Sequence, residues 1–167
     1  HDYANLSGVE AFEKYAIHQI KRHNVSKKWN MPRRYYSIKF GKCEFFMLDT
    51  NLENMTDDEI TEQLTYMRKK LKSSKKKYKF LCGHHTWRST GTHITSPQFE
   101  EFMKQLVYNT NVKAYFCGHD HCKNHIQISY PVKRSTKRKT KRKTNKNKRG
   151  REGKKINIFI VGTGGKV

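Results

Sequence analysis

The sequence predicts an α/β fold. Three observations carry that expectation: strand-length apolar runs alternate with amphipathic helical stretches, two of those runs end in Gly-His, and no apolar stretch reaches membrane-spanning length. Strand, helix, strand, helix, strand in that order implies parallel neighbours in one sheet, joined by right-handed helical crossovers. With 167 residues and 34% apolar content, one domain with its own core is the expected scale.

The elements follow in order. "YYSIKF" and "CEFFMLDT" are aromatic and β-branched runs separated by Gly41-Lys42, the spacing of a tight hairpin. "TDDEITEQLTYMRKKLK" reads as a helix, capped by Thr56 or Asp57, with acids in its first turn and bases in its last. Its stripe is Ile60, Leu64, Met67 and Leu71. "KFLC" is the next strand, followed by a long polar loop. Ser96-Pro97 opens a second helix with Pro at the first helical position, and Phe99, Phe102, Met103, Leu106 and Val107 share one face. "VKAYFC" is a strand running into "GHDH", and "IQISY" and "INIFIV" are strands on either side of a basic insert.

The formal charge is +22, and its distribution weakens any reading of a partner. Residues 133–155 hold fourteen Lys/Arg against one Glu, and a second cluster spans residues 68–79. The longer tract is low in complexity, self-repelling and without apolar periodicity, so a disordered insertion is expected; a polyanion-binding tail is the competing reading. It lacks the interleaved aromatics that stack on single-stranded bases. No stable nucleic-acid partner is expected. Cys43, Cys82, Cys117 and Cys122 permit three disulfide pairings, while three of them lie in or beside apolar runs where a free thiol acts as a small hydrophobe.

Position matters more than residue type for the histidines. "KFLC-GHH" and "AYFC-GHDH" both set Gly-His at the carboxyl end of a buried strand, the edge at which open α/β sheets bind ligands. His84 and His119 are therefore expected to converge. His119 and His121 share one face if the chain is extended there, and diverge if it turns. Five of nine histidines fall in "GHHTWRSTGTH" and "GHDH", a density that favours a metal site over isolated surface imidazoles. A closed structural zinc site on Cys117, His119, His121 and Cys122 is disfavoured, because so tight a run does not wrap one ion tetrahedrally.

These motifs carry a resemblance. "GHH" and "GHDH", after a chain that starts "HDY", look like the last motifs of the calcineurin-like metallophosphoesterases. More narrowly, "KKWNMPRRYYSIKF", "FFMLDTN", "FLCGHHTWRSTGTH" and "AYFCGHDH" resemble the purple acid phosphatases of the tartrate-resistant type. The resemblance implies a partial four-layer α/β/β/α sandwich whose N-terminal half is missing. Residues 1–132 are then the C-terminal part of the catalytic domain, 133–155 the insertion and 156–167 a terminal strand of the same domain.

The resemblance also implies a dinuclear metal centre, ferric iron with divalent iron, zinc or manganese, that hydrolyses phosphomonoesters at acidic pH through a metal-bound hydroxide. It assigns His84 and His119 to the divalent ion, His121 to the ferric ion, and His1 and His93 to the phosphate and the leaving group. His85 stands at a position that varies between Tyr and His. The family's remaining ligands, two Asp, a Tyr and an Asn, would lie upstream of His1, so the chain alone is expected to bind metal weakly. A secreted, lysosomal or vacuolar location is implied. A non-catalytic phosphatase-like scaffold and a basic polyanion-binding protein are the alternatives.

Overall fold

The computed structural model of the chain describes residues 9–26, 28–93, 95–108, 110–130 and 153–162, with side chains from Ala16 onward. The elements are α1 (Val9–Val25), β1 (Tyr36–Phe40), β2 (Cys43–Met47), α2 (Asp57–Ser73), β3 (Tyr78–Cys82), α3 (Pro97–Val107), β4 (Val112–Cys117), β5 (Lys123–Tyr130) and β6 (Lys154–Val161). The strands form one sheet in the order β1-β2-β3-β4-β6-β5. β2, β3, β4 and β6 run parallel, and β1 and β5 close the two edges antiparallel.

Local chemistry explains the elements. Gly41 turns the β1–β2 hairpin at φ 52°, a conformation that costs glycine nothing, and sets Phe40 opposite Cys43. Thr56 and Glu59 form a reciprocal capping box at the start of α2, and Lys70 and Lys72 sit in its last turn. Ser96 Oγ accepts the amide of Phe99 at the start of α3, with Pro97 in the first turn. The five apolar residues expected on one face of α3 are all buried. In α2, Met67 and Leu71 are buried, and Ile60 and Leu64 pack half-buried against the same core.

The period of two along the strands splits the sheet into unlike faces. Phe46, Leu81, Tyr115, Ile156, Ile158 and Ile160 join the helix residues in one core. Neighbouring positions carry Phe45, Phe80, Phe116 and Phe159, an aromatic row with ring centroids 5.2–5.7 Å apart that stays only half-buried. The described residues thus supply one sheet with α2 and α3 packed into its core side, and the second sheet of a four-layer sandwich is not among them.

α1 has no counterpart among the elements expected from the sequence, and of its described side chains only Ala16 is buried. β6 starts at Lys154, so Lys154 and Lys155 are strand rather than the end of the insertion. Residues 133–152, expected to be disordered, lie outside the described residues. All four cysteines are unpaired thiols. No described helix is long and apolar enough to cross a membrane.

Candidate metal centre

The parallel strands deliver their carboxyl ends to one edge. β2 runs into Leu48-Asp49-Thr50, β3 into Gly83-His84-His85, and β4 into Gly118-His119-Asp120-His121. Backbone hydrogen bonds continue past the sheet: Leu48 N–H to Cys82 O at 2.8 Å, Gly83 N–H to Phe116 O at 3.0 Å, and Gly118 N–H to His84 O at 3.0 Å. Such close approach needs bare backbone at Gly83, where a Cβ would meet Tyr115 Oη at 2.8 Å.

Four imidazoles meet there. His84 Nε2 lies 3.0 Å from His119 Nδ1, and the ring of His119 lies 4.8 Å from that of His85 and 4.0 Å from that of His93. The backbone of His119 is left-handed at φ 64°, rare for a residue with a Cβ, and this turn ends the strand-like alternation after Cys117. Burial pushes His85 down to about 4, with the neighbouring His119 and His84 adding to the effect. His119 is lowered too, by burial and then by His93 and His84. A neutral imidazole keeps one lone pair, which can coordinate where no hydrogen bond already engages it.

The expected site residues divide into three groups. His84, His119 and His93 come together. His121 is exposed, two residues beyond the left-handed turn at His119. His1 lies outside the described residues. Among the described residues no group of three or more His, Cys, Asp or Glu is placed to hold one ion. Two nitrogens each about 2.1 Å from a common ion stand about 3.0 Å apart at a right angle and about 3.4 Å apart in a tetrahedron. The His84–His119 pair at 3.0 Å therefore fits two donors of a metal that takes its other ligands elsewhere. The four-residue zinc site is not formed: Cys117 is buried in β4, where its thiol faces Phe159 O at 3.7 Å.

A family model for the calcineurin-like phosphoesterases matches residues 1–123. The chain belongs to the calcineurin-like phosphoesterase family. Among its relatives, the tartrate-resistant acid phosphatase type 5 of Rattus norvegicus is 30% identical over 129 residues, 65% of this chain and 39% of the rat protein. Purple acid phosphatase 7 of Arabidopsis thaliana is 27% identical over 145 residues, 75% of this chain and 42% of the plant protein. The chain thus spans about two fifths of the length of these relatives. In fold it is similar to GAP50, the anchor in the inner membrane complex of Plasmodium, with a TM-score of 0.58 at 15% identity, covering 88% of this chain and 44% of that one.

Around the histidines of this family member stand residues that sequence reading missed. Asp120 is buried and accepts from His93 twice, from its Nδ1 and from its amide at 3.1 Å. Burial opposes its charge, yet hydrogen bonds, those of His93 among them, hold its carboxyl below the usual range. Thr50, also buried, meets the amides of His84 and His85 at 3.1 Å each and His85 Nδ1 at 2.9 Å. Gln63, fully buried in α2, fixes that strand end from behind: it accepts the amide of Asp49 at 2.8 Å and donates to the carbonyl of Asp49 at 2.9 Å. The available signal was positional, since both Thr50 and Asp120 follow parallel strands at the ligand-binding edge.

Proposed function

We propose that the whole protein is a dinuclear-metal-dependent acid phosphatase of the purple acid phosphatase type, acting on phosphomonoesters. The observation that carries the reading is the 3.0 Å separation of His84 Nε2 and His119 Nδ1 at the ends of adjacent parallel strands. In this reading His84 and His119 hold the divalent ion, iron, zinc or manganese, and His121 contributes to the ferric ion. A paired cation centre supplies charge neutralisation of the phosphoryl group and an acidified water.

The chain's own residues then bind, orient and move protons. His93 is tethered through Nδ1 to Asp120, so its other nitrogen is the one that carries a proton to the departing alkoxide. His1 is proposed to share that work. The buried Phe99 lies behind the cluster, its ring 6.5 Å from that of His85, and limits water on that side. A secreted, lysosomal or vacuolar setting accords with an acid optimum.

The test uses the full-length protein. It is expected to hydrolyse p-nitrophenyl phosphate at acidic pH and to bind two metal ions per chain, and His84→Ala or His119→Ala is expected to cut turnover more than about 100-fold. Unchanged turnover in either variant would reject the reading. The exposure of His121 favours one second reading, a phosphatase-like scaffold without catalysis. That reading expects a folded full-length protein that neither loads metal nor turns over.

A further inference from the structure

The hydroxyl of Thr50 carries three contacts at once. The amides of His84 and His85 each stand 3.1 Å from Oγ1, and His85 Nδ1 stands 2.9 Å from it. A hydroxyl has one proton to give and two lone pairs to receive with. Backbone amides only donate, so they occupy both lone pairs. The single hydroxyl proton is left for His85 Nδ1, which must accept it.

That assignment fixes the imidazole. A neutral ring accepting at Nδ1 carries its own proton on Nε2. The arrangement is well supported: Thr50 is buried, its strand end is clasped by Gln63, and Tyr115 Oη donates to the carbonyl of His85 at 2.6 Å. His85 accordingly differs in kind from its neighbours. With Nδ1 engaged and Nε2 protonated, it has no lone pair for a metal, yet its ring lies 4.8 Å from that of His119 and 5.1 Å from that of His84. Among the described residues its Nε2 makes no hydrogen bond.

We propose that His85 donates a hydrogen bond from Nε2 to a phosphoryl oxygen of the substrate, held in that single tautomer by Thr50. The proposal rests on the phosphatase reading for the identity of the acceptor, though not for the tautomer. Thr50 is in this sense a positioning residue: it acts through the proton it gives to His85. A donor that keeps its proton suits an anionic ligand, and a ring barred from coordination stays available for it beside the metal-holding pair.

Two measurements test the two halves separately. Nitrogen-15 spectra of the imidazoles in this chain are expected to show His85 with Nδ1 in the unprotonated range and Nε2 in the protonated range. Thr50→Val should lose that bias, and Thr50→Ser should restore it. A His85 protonated on Nδ1, or unaffected by Thr50→Val, overturns the tautomer whatever the enzyme does. In the full-length protein, inorganic phosphate is the probe, measured by calorimetry. His85→Phe is expected to weaken phosphate binding about tenfold or more, the cost of one hydrogen bond to a charged partner, and His85→Gln, which keeps a donor near Nε2, to weaken it less. Equal phosphate affinity in His85→Phe and the parent overturns the donor role.

Discussion

Asp120 sits between two histidines with its side chain 2% exposed, and it holds the ring and amide of His93 together. Its carboxylate survives burial only through the hydrogen bonds it receives, so it and His93 form a single unit. Asp120→Asn keeps the size but can present its amide nitrogen to His93 Nδ1, which frees the ring to turn. Turnover of the full-length enzyme is expected to fall about 10- to 100-fold with little change in KM, as for other residues that orient a reacting group; steady-state kinetics with unchanged kcat would sink the assignment. Gly91 guards the same unit, because a Cβ there would lie 2.7 Å from the Asp120 carboxyl carbon. At this scale the sequence was legible wherever a residue's role follows from its place on a strand end. His84 and His119 were readable in that way. The left-handed turn at His119 corresponds to the second of the two cases expected there, in which His119 and His121 diverge. Asp120 carries no role in the sequence reading, because its partner, His93, is 27 residues away.

The loop between β3 and α3 is braced by one carboxylate. Glu100 of α3 accepts the Trp87 indole N–H at 2.6 Å, both guanidinium nitrogens of Arg88, and an ion pair with Lys104 at 3.1 Å. Arg88 foremost, with Lys104 and Trp87, drives Glu100 down to about 2 from the ordinary 4.5, against the opposing effect of burial. A carboxyl depressed on folding adds stability that is fully present above its unfolded value and is lost as pH falls through the folded one. Thermal melts followed by circular dichroism should therefore show the chain losing stability between pH 4.5 and about 2. Glu100→Gln should melt lower at neutral pH and lack that part of the acid dependence; matching pH profiles would count against the brace. The helices themselves were legible because caps and stripes are local, and Thr56, Ser96 and Pro97 start them as expected. The brace was not, since "TWRSTGTH" is polar and reads as loose until its partner on α3 is seen. α1 escaped notice because, among its described side chains, exposed Ile17 and Val25 blur the apolar stripe.

Among the described residues, lysines at the end of α2 and the start of β6 lie away from the imidazoles. Lys70 and Lys72 end α2, and Lys154 begins β6, at the edge opposite the carboxyl ends of the parallel strands. Net charge was therefore a poor guide to the site, and patterned strand ends a good one. The sheet faces are also unequal, since one carries the helices and the other the half-buried row Phe45, Phe80, Phe116 and Phe159. A row of this size is costly to leave against water. The chain covers only 39% of the rat relative's length, which leaves ample sequence there to form a covering layer. In a protein that also carries the second sheet of the sandwich, that sheet is the expected occupant of the aromatic face. Phe80→Asp separates the cases, because the same substitution meets different surroundings in the two proteins. In this chain by itself the cost should stay near 1 kcal/mol, and in a longer protein that includes the upstream part it should exceed about 3 kcal/mol, the penalty for an unpaired charge in a closed core. Denaturant midpoints of the four proteins give both values. Equal costs would mean that the aromatic face stays open in the longer protein as well.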